Sequence, residues 1–387
     1  MDRRQPIHEI AREWTRIGCV GFGGPPAHIA LLRELCVERR GWMTADEFED
    51  AIAATNLLPG PGSTQLAIFC AWRLCGVRGA LVGGACFILP GLILILALAG
   101  LFLSGSPPAW VRGAGAGAGA AVAAVALQAG RALLLPGLRR THGARRRRWL
   151  LYVALGVVAA ATAGSWLVLV LLACGLVELG WQRTRRREAG SSAASHAWPL
   201  LLAAATAASG GLLALAWVAF KVGALSYGGG FVIIPLMQAD AVGTHHWMTS
   251  TQFLNAVALG QVTPGPVVHT VAVVGYAAAG IGGGLLAAAV AFAPSFTFVL
   301  LGADRFDRLR RDADARAFLD GSGPAAIGAI TGSAIPLARA LSETWQVGLL
   351  AAAAVVLLVL RGGVVATLLG AGAVGALLGL AGAPLPV

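Results

Sequence analysis

A tripeptide that returns far along the chain restricts the possible folds more than any other feature. Trp42-Met43-Thr44 recurs as Trp247-Met248-Thr249, an offset of 205 residues. The same offset carries Pro59-Gly60-Pro61 onto Pro264-Gly265-Pro266, Gly23-Gly24 onto Gly228-Gly229, Phe22 onto Tyr227, Phe48 onto Phe253 and Phe87 onto Phe292. Several motifs in one register exceed what chance supplies in a Gly-rich and Pro-rich chain, so the 387 residues are read as two copies of one unit. No gap is needed between residues 17 and 90.

The charges say how the copies sit. The segment from Arg33 to Arg40 carries three arginines, and its image, residues 238–245, carries no Lys or Arg. Arg73 and Arg78 fall on the neutral stretch 278–283, and the six arginines from Arg139 to Arg148 fall on residues 344–353, which have none. In the other direction, Arg305, Arg308, Arg310, Arg311 and Arg316 map back onto the neutral stretch 100–111. With 57% of the residues apolar and 12% charged, the solvent is a bilayer, in which about 20 apolar residues make one crossing. Loops rich in Lys and Arg stay cytoplasmic, so a basic loop with a neutral twin means that the two copies insert in opposite senses. The fold expected is an all-α integral membrane protein, an inverted-topology tandem repeat with re-entrant or broken helices in each half.

The same composition excludes a disordered chain, a coiled coil and a disulfide-stapled secreted domain. A net charge of +11 does not imply nucleic acid here, because 28 arginines to one lysine, many in short runs between apolar segments, follow the membrane rule. Six cysteines, without CxxC spacing and mostly in apolar surroundings, suit small buried residues rather than a metal or redox centre. His28, His245 and His246 have no ligand-spaced partners, so neither a metal nor a cofactor is expected.

Crossings are expected near 80–103, 113–135, 149–164, 165–180 and 198–219, an odd number between matched points, as inversion requires. Four more follow near 281–301, 323–341, 345–361 and 363–383. The N-terminus is then cytoplasmic and the C-terminus outside, with Arg112 and Arg339 as exceptions at the outer face. Segments 17–36 and 51–72, with Gly-Gly or Pro-Gly-Pro in the middle, read as re-entrant hairpins, and 222–240 and 251–278 as their images from the other face. The domains are residues 1–16, an amphipathic surface helix; 17–180, the first repeat; 181–197, a basic and Ser-containing linker; and 198–387, the second repeat. Gly115 and Gly119 have the GxxxG spacing that lets helices approach closely.

Backbone broken inside a bilayer is costly unless it lines a cavity, and matched breaks in two halves point to a transport site. Here these are Pro59-Gly60-Pro61 and Pro264-Gly265-Pro266. Proline suits the first turn of a helix, so a half-helix should start after each break with its open amides and positive dipole end toward an anion. Ser63, Thr64 and Gln65 follow the first break, His269 and Thr270 follow the second, and Asn56, Gln261 and Thr263 precede them. A second constellation is Arg16 with its image Lys221, cations kept in both copies, followed by Phe22-Gly23-Gly24 and Tyr227-Gly228-Gly229, whose glycine amides can curl toward an anion. Two halves rocking about this site would give alternating access. Proton coupling through Glu34 or Asp240 is a lesser alternative. No Ser/His/Asp order, HExxH or kinase set is legible, so catalysis is not expected; a membrane enzyme acting on a phosphorylated lipid would need a nucleophile or metal cluster.

The segments GFGGPPAHIALLRELCVERRGWMT, LLPGPGSTQLAI and FKVGALSYGGGFVIIPLMQ, followed by GQVTPGPV, resemble the chromate ion transporter family in its long two-domain form. The likeness covers roughly residues 6–135 and 210–340. The resemblance implies efflux of chromate across the bacterial inner membrane, with chromate resistance as the outcome and sulfate as the chemical look-alike. It also implies that Phe22-Gly23-Gly24, Pro59-Gly60-Pro61 and their second-half counterparts are hallmarks. Gly62 departs from the family pattern, which has a polar residue before Ser-Thr-Gln. The partners expected are a chromate-like or sulfate-like oxyanion and the lipid bilayer, with a homodimer compatible with both.

Overall fold

The computed structural model describes residues 5–55, 58–103, 105–162, 167–188, 211–226, 231–302 and 312–386. Among the described residues every regular element is a helix. The first half holds α1 (Ile7–Val20), α2 (Pro25–Arg33) with a π-helical turn (Glu34–Arg39), α3 (Ala45–Thr55), α4 (Gly62–Phe102), α5 (Ala109–Arg140), α6 (Gly143–Thr162) and α7 (Leu167–Glu188). The second holds α8 (Gly211–Leu225), α9 (Ile233–Gln238) with a π-helical turn (Ala239–Thr244), α10 (Ser250–Val262), α11 (Thr270–Gly302), α12 (Ala313–Gly332), α13 (Ala334–Arg339), α14 (Thr344–Ala354) with its π-helical extension (Val355–Val359), and α15 (Val364–Leu380). The order repeats, α12 and α13 together standing where α5 stands, and the first two π-helical turns lie 205 residues apart.

The match extends to backbone angles. α4 is broken at Cys75 (φ −138°) and Gly76 (φ 61°), and α11 at Ala279 (φ −153°) and Gly280 (φ 63°). These breaks are 204 residues apart, so the ungapped register expected through residue 90 slips by one after the Pro-Gly-Pro motifs. The reason is local. In the first copy an α-helix starts directly at Gly62, whereas in the second Val267–His269 forms a 3₁₀ turn before α11 begins. A 3₁₀ turn rises about 2.0 Å per residue against about 1.5 Å in an α-helix, so three residues advance as far as four and the lost residue leaves no gap in space.

Four of the described helical stretches, Gly62–Phe102, Ala109–Arg140, Leu167–Arg186 and Val267–Gly302, are long and apolar enough to cross a membrane, and Gly211–Leu225, Thr344–Val359 and Val364–Leu380 are apolar but shorter. Much of the candidate crossing 198–219 lies outside the described residues, as do Ser191, Ser192 and Ser195 of the linker and Arg305 to Arg311. The boundary drawn at residue 16 falls inside α1, which continues to Val20. The linker likewise begins within a helix: α7 runs to Glu188, and Arg183 and Arg186 pair with Asp314 of α12 at 2.6 and 3.0 Å.

α1 is amphipathic because Ile10, Trp14 and Ile17 recur on one face, and that face is buried against α4, with the Trp14 indole N–H donating to the Ala67 carbonyl at 2.8 Å. Glu13 is buried on the same helix and takes hydrogen bonds from Arg39 (2.5 Å) and Arg40 (2.9 Å). Burial alone raises the Glu13 pKa, but the hydrogen bonds and charges of Arg40 and Arg39 outweigh it, leaving the carboxyl below its ordinary value. A depressed carboxyl contributes stability above the unfolded pKa of about 4.3 and loses it as pH falls through the folded value. Protection against hydrogen exchange across Ile7–Val20, taken relative to the intrinsic amide rate at each pH, is therefore expected to fall as pH drops below about 4, and Glu13→Gln to be less protected already at neutral pH with that step removed.

The two repeats are interleaved. α5 packs on α14 and α15 of the second half, α12 packs on α6 and α7 of the first, and α4 lies against α11 at the centre. Small residues set these approaches: a Cβ at Gly117 would stand 2.9 Å from the Gly375 Cα, and one at Gly332 would stand 2.8 Å from the Val157 Cα. Gly115 and Gly119 of the GxxxG spacing face Asn255 and Leu254 of α10, while the alternate pair, Gly113 and Gly117, makes the backbone contact with α15. Two halves rocking as separate bodies do not fit this packing, because each long helix is held by the opposite repeat.

Candidate functional site

Each broken segment rests on the other half. The Gly265 N–H donates to the Gly21 carbonyl at 2.9 Å, joining the second Pro-Gly-Pro break to the tip of the first hairpin. In the other direction, a Cβ at Gly60 would stand 3.2 Å from the carbonyl of Gly223, near the end of α8. Gly60 (φ 122°) and Gly265 (φ 94°) hold the backbone in a region that other residues avoid. The first break is latched by the Gln65 side chain, whose Nε2 donates to the Pro59 carbonyl at 2.7 Å.

After the first break the half-helix of α4 begins as the sequence predicts. The Pro61 carbonyl takes the amides of Thr64 and Gln65, at 2.9 and 3.0 Å. Those of Gly62 and Ser63, the first two of the helix, are its open donors.

A cavity of about 710 Å³ descends to this point. Its floor is Gly23, Gly24, Gly60, Gly62, Ser63 and Gln261. The walls are apolar, formed by residues such as Val125, Ala129, Leu133, Ala326, Ile327 and Ile330 of α5 and α12, with Gln128 set among them. The mouth carries Arg140, Thr141, Arg145, Trp149, Glu178 and Asp320. There Arg145 pairs with Asp320 at 3.0 Å, and Glu178 is bound by Arg148 (3.1 Å) and by the Tyr152 hydroxyl (3.0 Å).

Of the residues expected at the site, Gly23, Gly24, Gly60, Ser63 and Gln261 line the cavity. Pro59, Pro61, Pro264, Gly265 and Pro266 form the breaks beside it. Thr64, Gln65, His269 and Thr270 are buried behind the floor. Thr64 Oγ1, Gln65 Oε1 and Gln261 Nε2 have no hydrogen-bond partner among the described residues. The Thr270 hydroxyl is occupied, donating to the Val267 carbonyl at 2.8 Å. Phe22 is 43% exposed and lies outside the lining. Tyr227, Gly228 and Gly229, with Asn56, fall outside the described residues.

The two expected cations are not brought to the cavity. Arg16 is exposed and pairs with Glu13 at 3.7 Å, and Lys221 donates to the buried Asp240 at 2.6 Å. Sequence reasoning missed Gln128, Arg140 and Arg145. Gln128 had a signal, being the one polar side chain between Arg112 and Arg131. Arg140 and Arg145 were hidden in a run explained by topology alone.

The model of the chromate transporter family matches residues 8–179 and 213–377. The chain belongs to that family. The chain is 33% identical over 363 residues to the chromate transport protein of Cupriavidus metallidurans, covering 91% of this chain and 88% of that protein. It is 29% identical over 351 residues to the chromate transport protein of Pseudomonas aeruginosa, covering 87% and 82%. A probable chromate transport protein of Synechococcus elongatus is 27% identical over 354 residues, with 89% and 88% covered. No solved structure matches the chain.

Proposed function

We propose that the protein is a secondary transporter that exports chromate, or another tetrahedral oxyanion such as sulfate, across the bacterial inner membrane and so confers chromate resistance. The observation that carries this reading is the cavity, which reaches from the first backbone break, with Gln261 of the second copy beside it, to the arginine-bearing turn between α5 and α6. By the positive-inside rule that mouth is cytoplasmic, and the neutral twins of the basic loops support an inverted second repeat. The six arginines from Arg139 to Arg148 outnumber Glu178 and Asp320 at the mouth and raise the local anion concentration, and the apolar walls strengthen each polar contact below. At the floor the open amides of Gly62 and Ser63 and the side chains of Gln261 and Gln128 donate to the anion's oxygens, with the helix N-terminus adding its dipole. Thr55, although it lines the cavity, donates its hydroxyl to the Ala51 carbonyl at 2.9 Å and contributes no free donor. Access alternates as the groups built on α5 and on α12 shift against the central α4–α11 pair.

Everted membrane vesicles containing the protein are expected to accumulate labelled chromate, with unlabelled sulfate competing in proportion to how little the floor discriminates. Epitope tags after Trp42 and Trp247 are expected in opposite compartments. Vesicles that take up no more chromate than those lacking the protein would sink the transport reading, and tags on one side would sink the inverted repeat.

A further inference from the structure

His28 is wholly buried in α2, and the reading above gives it no role. Its Nε2 lies 2.9 Å from the Gly21 carbonyl oxygen, which can only accept, so Nε2 carries a hydrogen. That same carbonyl takes the Gly265 N–H, so the ring is tied to the joint between the two halves. In the neutral ring Nδ1 is a bare lone pair, and Ser63 Oγ, 3.3 Å away, has to donate its hydrogen to it. Ser63 is itself 4% exposed and lies on the cavity floor. The hydroxyl of the neutral pair therefore has no hydrogen left for an anion.

Protonation at Nδ1 reverses the bond. The ring then donates to Ser63 Oγ, the serine hydrogen turns free toward the floor, and a positive charge stands beside the anion. We propose that His28 is the proton-binding partner of the transported oxyanion, so that one proton and one tetrahedral dianion are bound together. This rests on the oxyanion-transport reading.

The surroundings of His28 fit the role. α1 presents the Gly21 carbonyl, and α4 presents Ser63 and the Phe87 ring, edge-on with centroids 5.0 Å apart. Among the described residues the titratable group that feels a charge on His28 is His269, which is stacked edge-on against Phe292 with centroids 5.3 Å apart. No carboxylate among the described residues acts on the ring, so the counter-charge that a buried imidazolium needs has to come from the anion. Coupling of this kind is reciprocal: the anion raises the proton affinity of His28 and the proton raises the affinity for the anion.

The test is equilibrium binding of labelled chromate to the full chain in nanodiscs from about pH 9.5 down to about pH 8, where chromate is almost wholly the dianion. The wild-type protein is expected to bind up to about tenfold more tightly per unit fall in pH, and to take up one proton per chromate in weak buffer. His28→Gln keeps an N–H for the Gly21 carbonyl but does not titrate; it is expected to bind without pH dependence and without proton uptake. Ser63→Ala, which leaves the histidine in place, is expected to bind more weakly with a flattened slope. A His28→Gln protein with the wild-type slope and proton uptake overturns the inference while leaving transport intact. A wild-type protein that binds no oxyanion at any pH removes the transport reading along with it.

Discussion

Lys221→Met lowers folding stability by about 3–5 kcal/mol, and adding Asp240→Leu to the same chain restores most of the loss. The Asp240 side chain is 5% exposed and that of Lys221 18%, and the ammonium donates to the carboxylate at 2.6 Å. Removing the lysine leaves a charge in an apolar setting with nothing to offset its lost hydration, whereas removing both partners leaves packed hydrocarbon. The first copy has no such pair at the matching positions: Arg16 stands at the image of Lys221, Leu35 at the image of Asp240, and the buried carboxylate there is Glu13. Thermal unfolding in detergent, followed by the soluble monodisperse fraction, reads the effect. The double variant separates two roles for Lys221. Because the ion pair does not line the cavity, Lys221→Met with Asp240→Leu is expected to keep chromate flux within about twofold of wild type. A stable double variant without flux would return Lys221 to the substrate site.

The fate of Lys221 shows which parts of the chain could be read in advance. The duplication, the matched breaks and the four long apolar helices follow from patterns along the chain: apolar runs, basic loops and the spacing of Pro-Gly-Pro. These are one-dimensional signals of one-dimensional constraints, since a bilayer fixes the length of a crossing and the side on which arginines end. Pairing across space leaves no such trace. Nothing in the sequence said that Lys221 would meet Asp240 rather than the anion, that Arg39 and Arg40 would fold back on Glu13, or that α5 would pack on helices of the second half. The one-residue slip after the breaks was hidden for another reason. Phe87 and Phe292 match at an offset of 205, although the helices that carry them are related by 204. His28 was set aside for lacking metal-ligand spacing, yet its neighbours Gly21 and Ser63 come from two other elements. The floor of the cavity was legible because it is built around the first break and the Gly23-Gly24 turn, and the mouth was not because its arginines already had a topological explanation.

Gly60→Ala and Gly265→Ala are each expected to cut the initial rate of chromate transport by about a hundredfold while leaving protein in the membrane. At Gly60 the backbone has φ 122°, and an added Cβ would stand 2.7 Å from Gln65 Nε2 and 3.2 Å from the Gly223 carbonyl. The glutamine can retreat only by giving up its bond to the Pro59 carbonyl, and the second contact is backbone, so the half-helix or α8 has to move. At Gly265 the φ is 94°, and the new Cβ would stand 3.0 Å from the His269 ring, on the residue whose N–H ties the break to Gly21. Alanine in such backbone regions costs about 1–3 kcal/mol, which a protein can survive, but relief by a shift of about an ångström misplaces the amides proposed to hold the anion. Gly105→Ala is the control: a Cβ there meets nothing within 4 Å, and flux should be unchanged. Comparable losses at Gly60 and Gly265 with a silent Gly105 would mean that both breaks act in transport, as a symmetric site requires. A loss at Gly60 alone would reduce Pro264-Gly265-Pro266 to a packing kink, and the case for a symmetric site would fail with it.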